Sequence, residues 1–180
     1  NVKVTNSPKS ESNARWISDS KVMYMRGGEI FCANVVNGTL EGEQKIDAPA
    51  GIEGFELSPS ANKIMYVKSV KAAVKPTDLY PDLDKSSGRT YTNLMYRHWD
   101  HFVEEVPHTY IADFAANKVG AATDILAGDT ANPESETAKF ELPTLPFGGL
   151  EQLSWSPDGK YIAYSCRKLA GRDYAFSTNT

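Results

Sequence analysis

The sequence predicts an all-β chain that forms part of a β-propeller, and three observations support this prediction. Tyr, Phe and Trp make up 11% of the 180 residues, and aromatic side chains pack well on the faces of β-sheets. Short apolar runs alternate with turn residues, as they do in strands joined by hairpins. One hairpin-like segment also recurs, and its first two copies lie about 42 residues apart, the length of one propeller blade.

The repeated segment is clearest in "LSWSPDGKYIAYS", residues 153–165. Its Ser-Pro-Asp-Gly sequence is typical of a type I turn, because Pro presets φ at the second position and Gly suits the fourth. A second copy, "FELSPSANKIMYV" at 55–67, aligns Ser58 with Ser156. A weaker copy, "WISDSKVMYM", spans 16–25. Each copy has apolar runs on both sides of its turn, so each predicts a β-hairpin.

Further strand-like runs follow the first two copies, which gives four short strands per unit. The predicted units are blade one at about 14–51, blade two at about 52–130 and a partial blade three at about 146–180. About 37 extra residues separate the second and third strands of blade two, within an insertion at 68–108. Propellers have about four to eight blades. We therefore expect the chain, which opens with Asn1, to be the N-terminal part of a larger propeller whose exposed edges are covered by missing residues, another copy or a crystal neighbour. The alternative is a small self-contained β-sandwich.

Composition argues against several classes of function. The formal net charge is −4 and Lys and Arg form no basic stripe, which argues against a nucleic-acid partner. No run approaches the roughly 20 apolar residues of a membrane helix, and no signal peptide is visible. No phosphate-binding or dinucleotide motif occurs, so no cofactor is expected. The two cysteines, Cys32 and Cys166, do not make a disulfide framework, and the sequence leaves open whether they pair. Both lie in strand-like runs, where a free Cys usually acts as a small buried hydrophobe.

The insertion is predicted to be a loop followed by a helix. Residues 70–94 are polar, contain two prolines and read as a surface loop. Thr92 or Asn93 is suited to cap a helix that Pro107 would end. Apolar residues in between follow helical spacing along one face, namely Met95, Trp99, Phe102, Val103 and Val106. We expect this face to dock the helix on the blades, with Trp99 and Phe102 as the main packing residues.

All three histidines lie between residues 94 and 110. On the predicted helix, His98, His101 and Glu105 would share one flank, and two imidazoles with a carboxylate are candidate ligands for Zn²⁺ or a similar ion. The alternative is that one histidine pairs with a carboxylate and the other is solvated. His-x-x-His without a second pair is a loose pattern, so no metal is predicted and these three residues remain weak candidates.

Glu104 and Glu105 are candidate substrate-binding residues, because paired carboxylates favour an ammonium group. The alternative is a solvated helix face. Catalytic motifs do not support an active centre in this chain. It has no G-x-S-x-G elbow, and the S-x-x-K match at 165–168 lacks its supporting motifs. We therefore assign no catalytic residue.

Two stretches resemble a known family. The hairpin "WSPDGKYIAY" resembles those of TolB-like, WD40-like and prolyl oligopeptidase propellers. The insertion resembles a segment of bacterial prolyl oligopeptidase-family peptidases of the dipeptidyl-peptidase V and acylaminoacyl-peptidase type. The matching motifs are Asp78–Tyr80, the Met-Tyr-Arg-His-Trp-Asp run at 95–100, and Pro107-His108. The stretch "SCRKLAGRDYAFSTNT" resembles the continuation after the hairpin in the same family.

This resemblance implies a secreted or periplasmic serine peptidase with an N-terminal propeller and a C-terminal α/β-hydrolase domain. The catalytic Ser, Asp and His would lie in that second domain, which is absent from this chain. The propeller would screen short peptide substrates by size and contact the protein's own hydrolase domain. In related dipeptidyl peptidases a Glu pair holds the substrate amine, and Glu104-Glu105 superficially resembles that pair. The alternative function is a non-enzymatic TolB-like propeller that binds a protein partner.

Overall fold

The computed structural model describes residues 4–5, 7–71, 75–88, 97–98, 101–102, 104–127, 141–144 and 148–166. These residues form an all-β chain of antiparallel sheets, as the sequence predicts. Residues 167–180, at the end of the predicted partial blade three, lie outside the described residues. No helix in the described ranges is long and apolar enough to cross a lipid bilayer.

The first sheet, called sheet 1 below, contains four strands in chain order. They are β1 (Glu11–Ser18), β2 (Lys21–Arg26), β3 (Glu29–Val36) and β4 (Thr39–Lys45). Two-residue connections join β2 to β3 and β3 to β4, and all four connecting residues have positive φ, from 50° to 81°. Such turns match the twist of the flanking strands, and Gly27-Gly28 and Asn37-Gly38 supply residues that tolerate this backbone.

The second sheet, sheet 2, encloses the insertion. It begins with β5 (Ile52–Leu57) and β6 (Lys63–Lys71). The insertion contains the short helix α1 (Pro76–Leu79) and the strand pair β7 (Arg97–His98) and β8 (His101–Phe102). The sheet resumes with β9 (Glu105–Ala115) and β10 (Lys118–Asp124), and its spatial order is β5-β6-β9-β10.

A third hairpin follows a 3-10 turn at Leu150–Gln152 and consists of β11 (Leu153–Trp155) and β12 (Ile162–Tyr164). Its turn has the same hydrogen bonds as the turn between β5 and β6. The Lys63 N–H donates to Ser58 Oγ at 3.1 Å, and the Tyr161 N–H donates to Ser156 Oγ at 2.9 Å. Ser58 and Ser156, which the repeat aligns, therefore have the same structural role.

The sheets stack face to face through two apolar clusters. The first lies between sheets 1 and 2 and contains Met23, Met25, Ile30, Cys32, Phe55, Ile64, Tyr66 and Phe114. The second lies on the other face of sheet 2 and contains Met65, Val67, Leu126, Leu142 and Leu153. Both cysteines are free; Cys32 is buried and Cys166 is half-buried. Alternate residues of β6 thus enter different clusters, as the pleat of a strand buried on both faces requires.

Polar contacts also join the first strands of the two sheets. Asn13, at a bulge in β1, donates from Nδ2 to the Phe55 carbonyl and accepts the Phe55 N–H at Oδ1, both at 2.8 Å. Next to it, Arg15 Nε donates to Glu56 Oε2 at 2.7 Å. An added Cβ at Gly54 would lie 2.9 Å from Leu150 Cδ1 and 3.0 Å from Asn13 Oδ1, so this position fits only glycine closely.

The helix predicted between Thr92 or Asn93 and Pro107 is wrong. β7, β8 and β9 occupy the described part of that segment, and β9 pairs with β6 along the whole of β6. This pairing outweighs the helical spacing of the apolar residues, because tertiary context overrides local propensity. Pro107 suits β9 because its position lies beyond the end of β10, where no ladder bond needs its missing N–H.

The core-packing role predicted for Phe102 is wrong as well. Phe102 is 42% exposed and is not a core residue, whereas Val106 is buried within β9. The remaining residues of the predicted helix face, Met95, Trp99 and Val103, lie outside the described residues, as do Thr92 and Asn93. The helix in the described part of the insertion is α1, within the stretch predicted as loop.

Candidate functional site

The two candidate substrate-binding carboxylates, Glu104 and Glu105, lie where the insertion returns to sheet 2. Glu104 is half-buried, and its Oε2 lies 2.6 Å from Lys75 Nζ. Glu105 is the first residue of β9, is exposed, and stands opposite Lys71 in the β6–β9 ladder. The two neighbours therefore differ, because Glu104 has a lysine partner within the insertion and Glu105 faces solvent.

Two ion pairs fasten the insertion near its ends. Lys71 Nζ at the end of β6 lies 2.5 Å from Asp78 Oδ1 in α1, and Lys75 binds Glu104 next to β9. Asp78 also accepts the Lys75 backbone N–H at 2.7 Å. The hydrogen bond from Lys71, followed by that from the Lys75 backbone, lowers the pKa of Asp78 below its ordinary value. These contacts hold Glu104 at a defined position.

Glu104 borders an open polar pocket of about 270 Å³. The other lining residues are Lys75, Thr77, Asp84, Ser86, Ser87 and Gly88. The lining supplies hydroxyl groups, two carboxylates and one ammonium group, which are donors and acceptors suited to a small polar group. The Lys75 ammonium already contacts the Glu104 carboxylate, so a second cation would compete with Lys75 for it.

No metal is predicted at the histidine cluster, and His98, His101 and Glu105 stay weak candidates for metal ligands. Backbone pairing places His98 directly opposite His101 in the β7–β8 hairpin, so they are cross-strand neighbours and do not share a helix flank. Their side chains lie outside the described residues, and so does any contact between them and Glu105. Among the side chains that are described, no group of three or more His, Cys, Asp or Glu is arranged to hold a metal ion.

His108 has a structural partner that the sequence did not indicate. It is buried in β9, and its Nδ1 lies 2.7 Å from Asp124 Oδ2 at the end of β10. Asp124 Oδ1 accepts the Leu126 N–H at 2.8 Å. The His108 side chain is only 3% exposed, so it cannot approach a peptide. His108 lies in a run of four buried residues, 106–109, and the register of β9 and β10 brings Asp124 to it.

Two stacked tyrosines continue this polar cluster toward the core. The rings of Tyr66 and Tyr110 are 5.3 Å apart and nearly parallel. Burial, and then the nearby Asp124 charge, raise the pKa of Tyr110 to about 12. The same causes in the same order raise the pKa of Tyr66. Both phenols therefore lose their protons at higher pH than an exposed tyrosine does.

Comparison with known proteins identifies relatives along almost the whole chain. Dipeptidyl-peptidase 5 of Porphyromonas gingivalis is 37% identical over 180 residues, which cover 98% of this chain and 25% of that protein. Dipeptidyl-peptidase 5 of Porphyromonas endodontalis is 34% identical with the same coverage. Dipeptidyl-peptidase 5 of Aspergillus fumigatus is 23% identical over 177 residues, 92% of this chain and 24% of that protein. No protein-family model matches the chain.

The fold defines an all-β chain of stacked, blade-like sheets with a polar insertion in its second sheet. The chain spans about a quarter of the length of the curated relatives it matches. It is a homologue of the dipeptidyl-peptidase 5 proteins over that part of their length, which confirms the predicted resemblance to dipeptidyl-peptidase V-type peptidases.

Proposed function

We propose that this chain is the propeller part of a serine dipeptidyl peptidase and that it controls which peptides reach the catalytic centre. The observation that carries the proposal is the similarity of 98% of the chain to a quarter of a protein named dipeptidyl-peptidase 5. The catalytic Ser, Asp and His would lie in a C-terminal α/β-hydrolase domain of the same polypeptide. The role of the present residues would be to admit short peptides.

The stacked sheets suit a wall that excludes large substrates. Apolar side chains fill the space between sheets 1 and 2, and Asn13 binds the backbone of Phe55 across the same interface. Close-packed interiors deform little, so a cavity bordered by these sheets would keep its width. A folded protein would then be excluded, and a short extended peptide would enter.

The insertion supplies the polar groups that a peptide would meet. Glu105 is the stronger candidate for the substrate's N-terminal ammonium, because it is exposed at the start of β9. Glu104 would contribute through Lys75, since an incoming ammonium has to compete with that side chain. A charge-assisted hydrogen bond from an ammonium to a carboxylate is stronger than a neutral one and would select a free N-terminus.

The test uses the full native polypeptide and dipeptidyl-coumarin substrates with a free or an acetylated N-terminus. We expect release of coumarin from the free substrate and covalent labelling by a fluorophosphonate serine probe. Glu105→Gln should raise KM for the free substrate about tenfold, the effect of about 1.4 kcal/mol of lost binding, and leave the acetylated one unchanged. Glu41→Gln, an exposed change in β4, is the matched control.

The results separate the proposal from its alternative. A native protein that binds a protein partner but neither releases dipeptides nor reacts with the serine probe would be a non-enzymatic propeller. If the native protein hydrolyses the dipeptidyl substrate and Glu105→Gln has no effect, the proposed peptidase activity stands, and Glu105 does not bind the substrate. We also propose a periplasmic or secreted location, and recovery of the native protein only with cytosolic markers on cell fractionation would contradict it.

A further inference from the structure

Lys75 and Glu104 form an ion pair in the lining of the polar pocket in the insertion. The Lys75 Nζ lies 2.6 Å from Glu104 Oε2, and the two side chains are 45% and 28% exposed. A lysine ammonium carries one positive charge and three hydrogen-bond donors, as the ammonium of a peptide N-terminus does. The insertion therefore places a group with the chemistry of the proposed ligand on one of the two candidate carboxylates.

The backbone of Lys75 is held by contacts that do not involve its ammonium group. The Lys75 N–H donates to Asp78 Oδ2 at 2.7 Å, and Asp78 Oδ1 lies 2.5 Å from Lys71 Nζ. The start of α1 can therefore stay in place while the Lys75 side chain rotates away from Glu104. Water reaches both members of the Lys75–Glu104 pair, and such ion pairs contribute little to stability. Exchanging one ammonium for another on Glu104 therefore costs little.

The charges of the pocket favour entry of one further ammonium group. Among the described lining residues, Glu104 and Asp84 are carboxylates and Lys75 is an ammonium, which leaves a surplus of one negative charge. A ligand with one ammonium group would neutralise that surplus. Asp84 would also offer the displaced Lys75 a second carboxylate in the same pocket. A neutral N-terminus brings no charge and would leave Lys75 on Glu104.

Taking a peptide ammonium as the ligand, which rests on the proposed function, we propose that Lys75 is an internal competitor for Glu104. The substrate's N-terminal ammonium displaces the Lys75 side chain from Glu104 toward Asp84. A tethered group competes at a high effective concentration, so a ligand displaces it only when its other contacts add to its affinity. Lys75 thus sets how tightly a free N-terminus binds and acts as an autoinhibitory residue of this site.

Isothermal titration calorimetry of the full native polypeptide tests this exchange through binding alone. The probe is alanyl-alanine, which has a free N-terminus and no bond after its second residue for a dipeptidyl peptidase to cut. Its Kd should fall about two- to fivefold in Lys75→Gln, the range that the loss of a partly exposed ion pair allows. The Kd of N-acetyl-alanyl-alanine should not fall. Lys75→Arg keeps a cation on Glu104 and should bind the probe as the wild type does.

The matched control is Lys45→Gln, because Lys45 forms an exposed ion pair with Glu29 at 2.5 Å in sheet 1 and does not line this pocket. Its Kd for alanyl-alanine should equal that of the wild type. Asp84→Asn should raise the Kd about twofold, since the displaced Lys75 then loses its second carboxylate. Raising the salt concentration from about 0.05 M to about 0.5 M should shrink the difference between wild type and Lys75→Gln, because salt screens exposed charges.

An unchanged or higher Kd in Lys75→Gln would overturn the inference, because Lys75 would then support Glu104 and not compete for it. An equal fall for the acetylated dipeptide, or no binding of alanyl-alanine to either protein, would overturn it as well. Coumarin release is measured on the same samples. Hydrolysis together with an unchanged Kd would keep the proposed function and reject the competitor. Tighter binding by Lys75→Gln in a protein that releases no coumarin would reject the peptidase and keep the exchange at Glu104.

Discussion

His108 Nδ1 lies 2.7 Å from Asp124 Oδ2, and this contact joins the first half of β9 to the end of β10 inside sheet 2. An ionised carboxylate only accepts hydrogen bonds, so Nδ1 carries the hydrogen and donates it. The contact lies where the insertion re-enters the sheet, three residues after Glu105. The buried pair therefore supports the end of the insertion that carries both candidate glutamates.

Asp124→Asn should destabilise the native protein by about 1–3 kcal/mol, because it replaces a charged acceptor of the buried His108 N–H with a neutral amide. Urea unfolding of the native protein measures this loss. The matched control is Asp113→Asn, since the Asp113 side chain is 81% exposed in its contact with Lys63 and exposed ion pairs contribute little. Equal losses for the two variants would contradict an important role for the buried pair.

Local sequence patterns predicted most of the sheet structure. The aligned Ser58 and Ser156 turns form the same hydrogen bonds, because a Ser hydroxyl and a tight turn need only neighbouring residues. The segment before Pro107 was predicted incorrectly because five apolar residues also fit a helix, and the partner strand β6 decides between the two structures. Local spacing contains no information about such a distant partner.

The candidate site was only partly predictable for the same reason. Two adjacent glutamates are visible in the sequence, but the contact between Glu104 and Lys75 spans the insertion and depends on how that segment folds back. The pairing of His108 with Asp124 likewise depends on the register of two strands. Sequence reasoning could thus name candidate residues but could not assign their partners.

Substitution of Asn13 should destabilise the folded protein more than substitution of most other polar residues in sheet 1. Its side chain satisfies both backbone groups of Phe55, which is fully buried, so removing it leaves a donor and an acceptor without partners. Asn13 has φ of 54°, and glycine tolerates that backbone. Asn13→Gly therefore removes the side chain without new strain and should cost about 1–3 kcal/mol.

Hydrogen–deuterium exchange locates the effect of that substitution. The Phe55 amide should exchange faster in Asn13→Gly, while the Cys32 amide in the centre of sheet 1 should keep its rate relative to global unfolding. An unchanged rate at Phe55 would show that the two 2.8 Å hydrogen bonds do not protect this amide.

Gly54→Ala should destabilise the same interface by overpacking. The added methyl group would lie 2.9 Å from Leu150 Cδ1 and 3.0 Å from Asn13 Oδ1, closer than ordinary contacts. Inserting a methyl group into a well-packed site typically costs about 1–3 kcal/mol. If the clash with Leu150 causes the loss, the double variant Gly54→Ala with Leu150→Ala should lose less than the sum of the single changes in urea unfolding. If the losses of the two single variants add up in the double variant, the clash with Leu150 is not the cause of the destabilisation.

Tyr110 should make the folded protein sensitive to alkali. Burial, and then the Asp124 charge, raise its pKa from 10.0 to about 12 in the folded state, so the folded state keeps the proton that the unfolded state loses. The unfolded state then binds fewer protons between about pH 10 and 12, and stability falls as pH rises through this range. Below about pH 10 both states are protonated and Tyr110 contributes no dependence on pH.

Tyr110→Phe isolates this contribution, because it removes the ionising group and keeps the ring that stacks on Tyr66. The urea midpoint of the variant should decline less steeply than that of the wild type between about pH 10 and 12, with equal slopes at neutral pH. Burial and Glu43 also raise the pKa of Tyr24 to about 12. The variant should therefore still lose some stability over this pH range, because Tyr24 is unchanged. Parallel curves for wild type and Tyr110→Phe across the alkaline range would show that Tyr110 is not the group that links folding to pH.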